Sequence, residues 1–342
     1  MLFNKSFKLK YKSSMILVLS VMLLLLSSCS KDIEMKSITD FKEGTICTIS
    51  LPANTDDEVF DECFAILDGV EKQISRTDIK SEISNLNNNK TAILSSETYI
   101  LFKASYDLCK ESGGAFNPSI GAAVSLWDIG GENPRIPSDE ELNSIDSDYN
   151  KVTLDDKIHQ VTIPDNMEVD LGGVGKGYSA NKLRKYLQTQ NIERGIINLG
   201  GNILLLGSKT RNKDWTIGLQ DPNNGTGMAY IALSLSDISI VTSGTYERYF
   251  EKDGIRYHHI LSSKTLYPAE SDIISSTIIS NNSTLCDILS TTCFVMGSKK
   301  SLDFIKKYDG VSAIFLLTDG YIVTSDNFDF EYKILNDSYH MI

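Results

Sequence analysis

The stretch MEVDLGGVGKGYSANKLRKYLQTQ, Met167 to Gln190, decides how the rest of the chain is read. An apolar run feeds four glycines, Gly172, Gly173, Gly175 and Gly177, and these feed an amphipathic helix. Gly175-Lys176-Gly177-Tyr178-Ser179-Ala180 fits a dinucleotide fingerprint, but such a site needs an acid on the next strand, about 20 residues on. The next strand, GIINLGGN, ends without one. A phosphate loop fails more simply, because Gly177 rather than Ser or Thr follows Lys176, and position 171 is Leu. What remains is a tight strand-to-helix turn that also suits an anion. Glycines let a ligand approach the backbone, a helix start offers free N–H groups, and Lys176 adds a positive charge. Asp170, just upstream, is an acceptor for a base or ribose group.

Outward from this stretch the pattern is α+β. Phe60, Cys63, Phe64, Leu67, Val70 and Ile74 recur at helical spacing, and a second helix spans SSETYILFKASYDLCKESGG after a polar loop, NLNNNK. AFNPSIGAAVSLWDIGGENPRIP reads as loop, and Ser138 to Glu141 as a capping-box start. GTICTISLP, KVTLDD, HQVTIP and five segments between Gly195 and Ser280 read as strands joined by turns. They favour a largely antiparallel or mixed sheet over βαβ repeats. Two further helices, in STLCDILSTTCFVMGS and KKSLDFIKKY, precede a closing hairpin that turns at Asp319-Gly320. One α+β domain with packed helices is expected over 43–342, behind a polar tether at 29–42.

Residues 1–28 have a basic start (Lys5, Lys8, Lys10, Lys12), the apolar run Met15 to Leu26, and small residues before Cys29. That is the pattern of an export signal, and a cysteine at the cut resembles a bacterial lipobox, with Cys29 as the lipidated residue. The expectation is an exported chain, lipid-anchored to the periplasmic or outer face of a bacterial membrane. The formal charge, 33 Lys and Arg against 45 Asp and Glu, is −12, and loss of the four leader lysines takes it to −16. Such a chain has no basic stripe for nucleic acid, and a phosphate-bearing ligand needs a cation beside it. Cys47, Cys63, Cys109, Cys286 and Cys293 form no metal-ligand spacing and read as small buried hydrophobes.

Asp287, Ser290 and Thr291 stand at i, i+3 and i+4, so they share one face of a helix that is otherwise strongly apolar. A carboxylate there wants a partner, and a carboxylate with hydroxyl oxygens suits Mg²⁺.

DLGGVGKGYSANKL, INLGGN, VTSGTYERYF, YHHI and LCDILSTTCFVMG occur in the order and spacing of the FAD:protein FMN transferase (ApbE) family, which this sequence resembles from about residue 42 to 325. The resemblance implies one α+β domain that binds FAD and Mg²⁺, splits FAD at its pyrophosphate, and joins FMN to a threonine of a target flavoprotein, such as a subunit of a membrane redox complex. It implies FAD contacts at Trp127, Asp128, Ile129, Asp170, Lys176, His259 and Ile260. It implies metal ligands at the Gly173 carbonyl, Asp287 and Thr291, with Ser290 close by. Catalytic roles fall to His259 as proton acceptor, Lys176 as charge stabiliser and Asp170 as a second candidate base, while His258, its strand neighbour, is expected to point outward. The sequence departs from the family at Glu43 (usually Met), at Thr77 (commonly a flavin-side Tyr), and at Ser262, Ser263 and Leu266, which replace Asp, Pro and Gly. FAD hydrolysis to FMN and AMP, or flavin binding without catalysis, are the alternatives.

Overall fold

The computed structural model describes residues 34–224 and 227–342. Cys29 and the export signal lie outside the described residues. The backbone of the fold is a nine-stranded sheet, ordered Met35–Lys42, Thr45–Pro52, Gly195–Leu199, Asn202–Leu206, Ser239–Gly244, Ile273–Ser280, Ser312–Leu317, Tyr321–Thr324 and His340–Met341. Neighbouring strands are antiparallel except the last pair, which is parallel.

Successive side chains of a strand point to opposite faces, and both faces of this sheet are covered. Val241, Ile278, Ala313 and Phe315 join one buried cluster, and their neighbours Ile240, Ile279, Ile314 and Leu316 join another. That is why ISIVTSG, STIIS and VSAIFLL are apolar without clean alternation. On one face lie the helices Asp57–Ile74, Gly172–Thr189 and Ser283–Met296. On the other, a three-stranded sheet of Trp215–Gln220, Ala229–Leu235 and Tyr332–Ile334 contributes Trp215, Ile217, Tyr230 and Leu233.

Several sequence expectations need correction. The expected tether at 29–42 ends in regular structure: Met35–Lys42 pairs along its whole length with Thr45–Pro52, and Ile38 packs on the core beneath. Its apolar residues are too sparse to signal a strand, because it is an edge with one wet face. NLNNNK is not a loop but the end of a helix, Glu82–Asn89, capped by Ser81, whose side chain accepts from Ser84 N–H. Asn87 is buried in that helix and forms a two-way amide pair with the backbone of Val169 (2.9 and 2.7 Å). The loop-rich segment contains a short helix, Gly121–Trp127. The Asp319-Gly320 hairpin forms as expected, but Tyr332–Ile334 and His340–Met341 follow it. The five described cysteines are buried, as expected, and none is bridged to another.

Because Met35–Lys42 is part of the sheet, a chain beginning at residue 43 is expected to lose about 2 kcal/mol of stability against one beginning at residue 30. Part of the burial of Met35 and Ile38 goes with it. Urea unfolding of the two chains measures the difference, and equal midpoints and slopes would show that the strand carries no stability.

Candidate active site

The four glycines do not precede a helix; they are inside one, Gly172–Thr189. Their positions are explained by contact. A Cβ on Gly177 would meet the backbone carbonyl oxygen of Ser283 at 2.3 Å and Asp287 Cβ at 2.7 Å. A Cβ on Gly175 would meet Ile74 Cδ1 at 2.7 Å. Gly177 therefore lets this helix lie against Ser283–Met296 closer than any side chain permits, and Gly175 leaves room for the Ile74 side chain of Asp57–Ile74. The ligand-approach reading of Gly175 and Gly177 gives way to helix packing.

That packing positions the carboxylate. Asp287 is 4% exposed, and its Oδ2 accepts a 2.7 Å hydrogen bond from Gly177 N–H. In a regular helix the Gly177 N–H belongs to the Gly173 carbonyl four residues back. The Asp287 carboxylate therefore takes, wholly or in part, the N–H that a regular helix gives to the Gly173 carbonyl. Burial pushes the Asp287 carboxyl above the ordinary carboxylate range, against the pull of Lys176 and of the Gly177 bond.

Around Asp287 the hydroxyls are linked. Ser243, at the end of strand Ser239–Gly244, lies 2.7 Å from Ser290 Oγ and 3.2 Å from Thr291 Oγ1. Ser290 also donates to the carbonyl of Asp287 (2.9 Å) and is fully buried, so it braces Ser243, which in turn meets Thr291. Among the described residues no three carboxylates, imidazoles or thiols gather as a metal cage. One carboxylate, a helix carbonyl with a shared partner and the Thr291 hydroxyl form an all-oxygen set. Such a set fits a hard divalent cation that takes its remaining ligands from phosphates and water.

Lys176 is the hub of charge. It is half-buried, has no ion-pair partner among the described residues, and acts on Glu43, Asp287, Glu247 and His259. His259 is half-buried, and its Nδ1 lies 3.2 Å from the carbonyl of Arg248. Donation from Nδ1 leaves Nε2 as a free acceptor. Loss of solvation first, then Arg248 and Lys176, hold its pKa down to about 3, far below the ordinary imidazole value. His258 corrects the other expectation: it is buried, edge-on to the Phe294 ring at 5.4 Å, and points into the core.

Asp170 is placed by the Asn87–Val169 pair and by its own N–H to the carbonyl of Pro118 (2.8 Å). Both its oxygens are engaged, Oδ1 by Gly172 N–H (2.7 Å) and Oδ2 by Arg76 Nε (3.2 Å). It is thus held as an anchored acceptor and is poorly placed to serve as a base. Trp127 is 1% exposed; its Nε1 donates to the carbonyl of Leu266 (2.7 Å), and Tyr257 and Tyr267 pack on it. Its ring is core, leaving only its backbone for a ligand. The Asp128 carboxylate accepts from Asn133 N–H (2.8 Å), Ile129 packs beside Trp127, and the Ile260 side chain is buried. Leu266 takes a left-handed φ of 57°, a conformation that favours glycine, and the Trp127 bond pins it there.

Sequence reasoning assigned no role to Ser243, Arg248 or Asn87. The first two lie in the quoted VTSGTYERYF, so the segment was marked but its side chains were not. Arg248 Nη2 donates to the carbonyl of Gly44 (3.0 Å), tying the Glu43-Gly44 turn to the strand that leads to His259. Thr77 lines an open polar groove of about 480 Å³ with Asp68, Glu71, Lys72, Ser75 and Asp78. The groove borders the site through Glu71, whose Oε2 accepts from Glu43 N–H (3.3 Å).

A half-buried lysine without an ion pair, a buried carboxylate beside hydroxyls and a free imidazole nitrogen make a site that suits a phosphorylated ligand. Residues 44–315 match the model of the ApbE family. An FAD:protein FMN transferase of Treponema pallidum is 34% identical over 81% of this chain and 83% of its own length. Another, of Klebsiella pneumoniae, is 36% identical over 67% of this chain and 71% of its own. The crystal structure of the ApbE protein of Thermotoga maritima superposes with a TM-score of 0.79 at 31% identity, covering 86% of this chain and 98% of that one. The chain belongs to the ApbE family.

Two substitutions test this geometry. Gly177→Ala inserts a methyl against backbone and is expected to cost about 3 kcal/mol or more in urea unfolding; a loss below about 0.5 kcal/mol would contradict the close contact. Asp287→Asn keeps the oxygen that Gly177 needs and removes the buried charge. With the native pKa raised, the unfolded chain ionises first, so without metal the charge destabilises the fold increasingly above about pH 4. The variant is therefore expected to gain stability over the parent as pH rises from 4 to 7. A gap that shrinks over this range would show the native carboxyl to be depressed instead.

Proposed function

We infer that this chain is a Mg²⁺-dependent FAD:protein FMN transferase, which cleaves FAD and attaches FMN by a phosphoester to a threonine of a target flavoprotein. The observation that carries the reading is the convergence of Lys176, the Asp287 carboxylate and His259 from three separate segments. It is supported by the names of the relatives. Mg²⁺ would be held by Asp287, the Gly173 carbonyl and Thr291, and when bound it offsets the negative charge of the pyrophosphate and polarises it toward attack.

The protein's own groups account for the rest. Lys176 binds the phosphates and stabilises the charge that develops as AMP departs. His259 Nε2 accepts the proton of the attacking threonine hydroxyl as its oxygen bonds to the FMN phosphorus. The bond between that phosphorus and the bridging oxygen breaks, and AMP leaves with the electron pair. An imidazole held near pKa 3 in the free protein is unprotonated at neutral pH, and phosphates arriving beside it raise its proton affinity. Asp170, fixed by Gly172 and Arg76, orients a donor group of the substrate.

Export, lipidation at Cys29 and a target in a membrane redox complex complete the proposal. Export and lipidation rest on the leader pattern of residues 1–29, and the target rests on the family resemblance.

Residues 30–342 incubated with FAD, Mg²⁺ and a peptide bearing a D-x-x-T acceptor are expected to give AMP and a peptide heavier by one FMN, both lost with chelator. His259→Gln is expected to slow transfer by about 100-fold or more, and Asp287→Ala to abolish detectable AMP release. AMP and free FMN without labelled peptide would make the chain an FAD pyrophosphatase. Bound FAD with no AMP would leave a flavin-binding protein.

A further inference from the structure

The mechanism leaves the half-buried acid Glu43 unused. Glu43 and Gly44 form the two-residue turn between Met35–Lys42 and Thr45–Pro52, where Lys42 pairs with Thr45. Such turns need positive φ at both central residues. Gly44 meets this freely at 68°, but Glu43 sits at 51°, where a glutamate is strained. Asparagine or glycine would serve the turn better, so the turn alone does not explain the glutamate.

Its side chain is carried into the site. Ser179 Oγ, one turn along the glycine helix from Lys176, donates to Glu43 Oε1. The other oxygen, Oε2, is buried and has no hydrogen-bond partner. The charged and titratable groups around it come from every neighbouring element: Lys176 from the glycine helix, Asp287 from Ser283–Met296, Glu71 from Asp57–Ile74, and Cys47 from Thr45–Pro52. Arg248 holds the turn itself through Gly44. A buried, unpartnered carboxylate oxygen is costly, and a charged one would repel the phosphates that Lys176 attracts. A neutral acid removes both objections. Its hydroxyl then needs an acceptor; no protein group supplies one to Oε2, whereas a phosphate drawn to Lys176 can.

We propose that Glu43 is a substrate-binding group of this chain, donating a hydrogen bond from Oε2 to a phosphate oxygen of FAD. The proposal rests on the FAD reading above. Burial, only partly offset by Ser179 and Lys176, pushes the Glu43 carboxyl up to about 7. The acid form is thus populated at neutral pH, and bound phosphate favours it further. FAD binding then takes up a proton, and affinity falls as pH rises through the carboxyl's own range.

The test is flavin-fluorescence titration of FAD against residues 30–342 in EDTA, from pH 6 to 8.5, with ³¹P NMR of the bound FAD. The parent is expected to weaken by about tenfold per unit above pH 7. Glu43→Gln, which keeps a donor, is expected to bind tightly with no pH dependence. Glu43→Ala is expected to bind at least about tenfold more weakly at pH 6. The ³¹P resonances of bound FAD, whose phosphates carry no proton of their own near neutral pH, are expected to titrate in the parent and not in Glu43→Gln. Thermal unfolding checks that all three chains are folded. Glu43→Ala binding like the parent, or Glu43→Gln as weak as Glu43→Ala, overturns the proposal and leaves the FAD reading standing. A parent that binds no FAD at any pH overturns both.

Discussion

The site depends on a single hydrogen bond between two helices, from the backbone N–H of Gly177 to the carboxylate of Asp287. It exists only because position 177 has no side chain, since a methyl there would run into the backbone of Ser283. Helix packing, carboxylate placement and the partial release of the Gly173 carbonyl are therefore one event. Change the spacing of the two helices and all three are lost together. The same contact accounts for a buried acid in an apolar helix, because one of its oxygens has a strong partner and the other is left for a ligand.

Charge follows from this geometry. A chain with formal charge −12 handles an anionic ligand by concentrating what positive character it has. Lys176 stands free of ion pairs among the described residues, within reach of Glu43, Asp287, Glu247 and His259. All three carboxyls are pushed up by loss of solvation and the imidazole is pushed down, so the free site suppresses its own negative charge before phosphate arrives. Arg76 and Arg248 are each committed to holding structure, the first to Asp170 and the second to the Glu43-Gly44 turn. Among the described residues around the site, Lys176 is thus the cation left to meet phosphate.

Much of this was legible in the sequence where periodicity was strong. The helices at 57–74, 96–111 and 283–296 and the Asp319-Gly320 hairpin are written in apolar spacing and turn chemistry. Asp287 stood out as an acid in an apolar helix. The glycine cluster misled because local chemistry offers ligand approach as readily as helix packing, and only the tertiary partner decides. Asn87 and Ser243 were invisible for the same reason: each acts through a contact about 50 or more residues away in sequence. Trp127 marked a conspicuous segment, but its ring turned out to brace Leu266 from within the core. The strand at 35–42 has one wet face and too few apolar residues to announce itself, and it carries Glu43 into the site.

The central claim is that Asp287, with the Gly173 carbonyl and Thr291, holds a divalent cation against the phosphates of FAD. Mn²⁺, a paramagnetic substitute for Mg²⁺, tests it directly by electron paramagnetic resonance of free and bound metal. Residues 30–342 with FAD are expected to bind one Mn²⁺ that Mg²⁺ displaces, and Asp287→Asn with FAD is expected to leave Mn²⁺ free at the same concentrations. Equal Mn²⁺ binding by the parent and by Asp287→Asn would contradict the account.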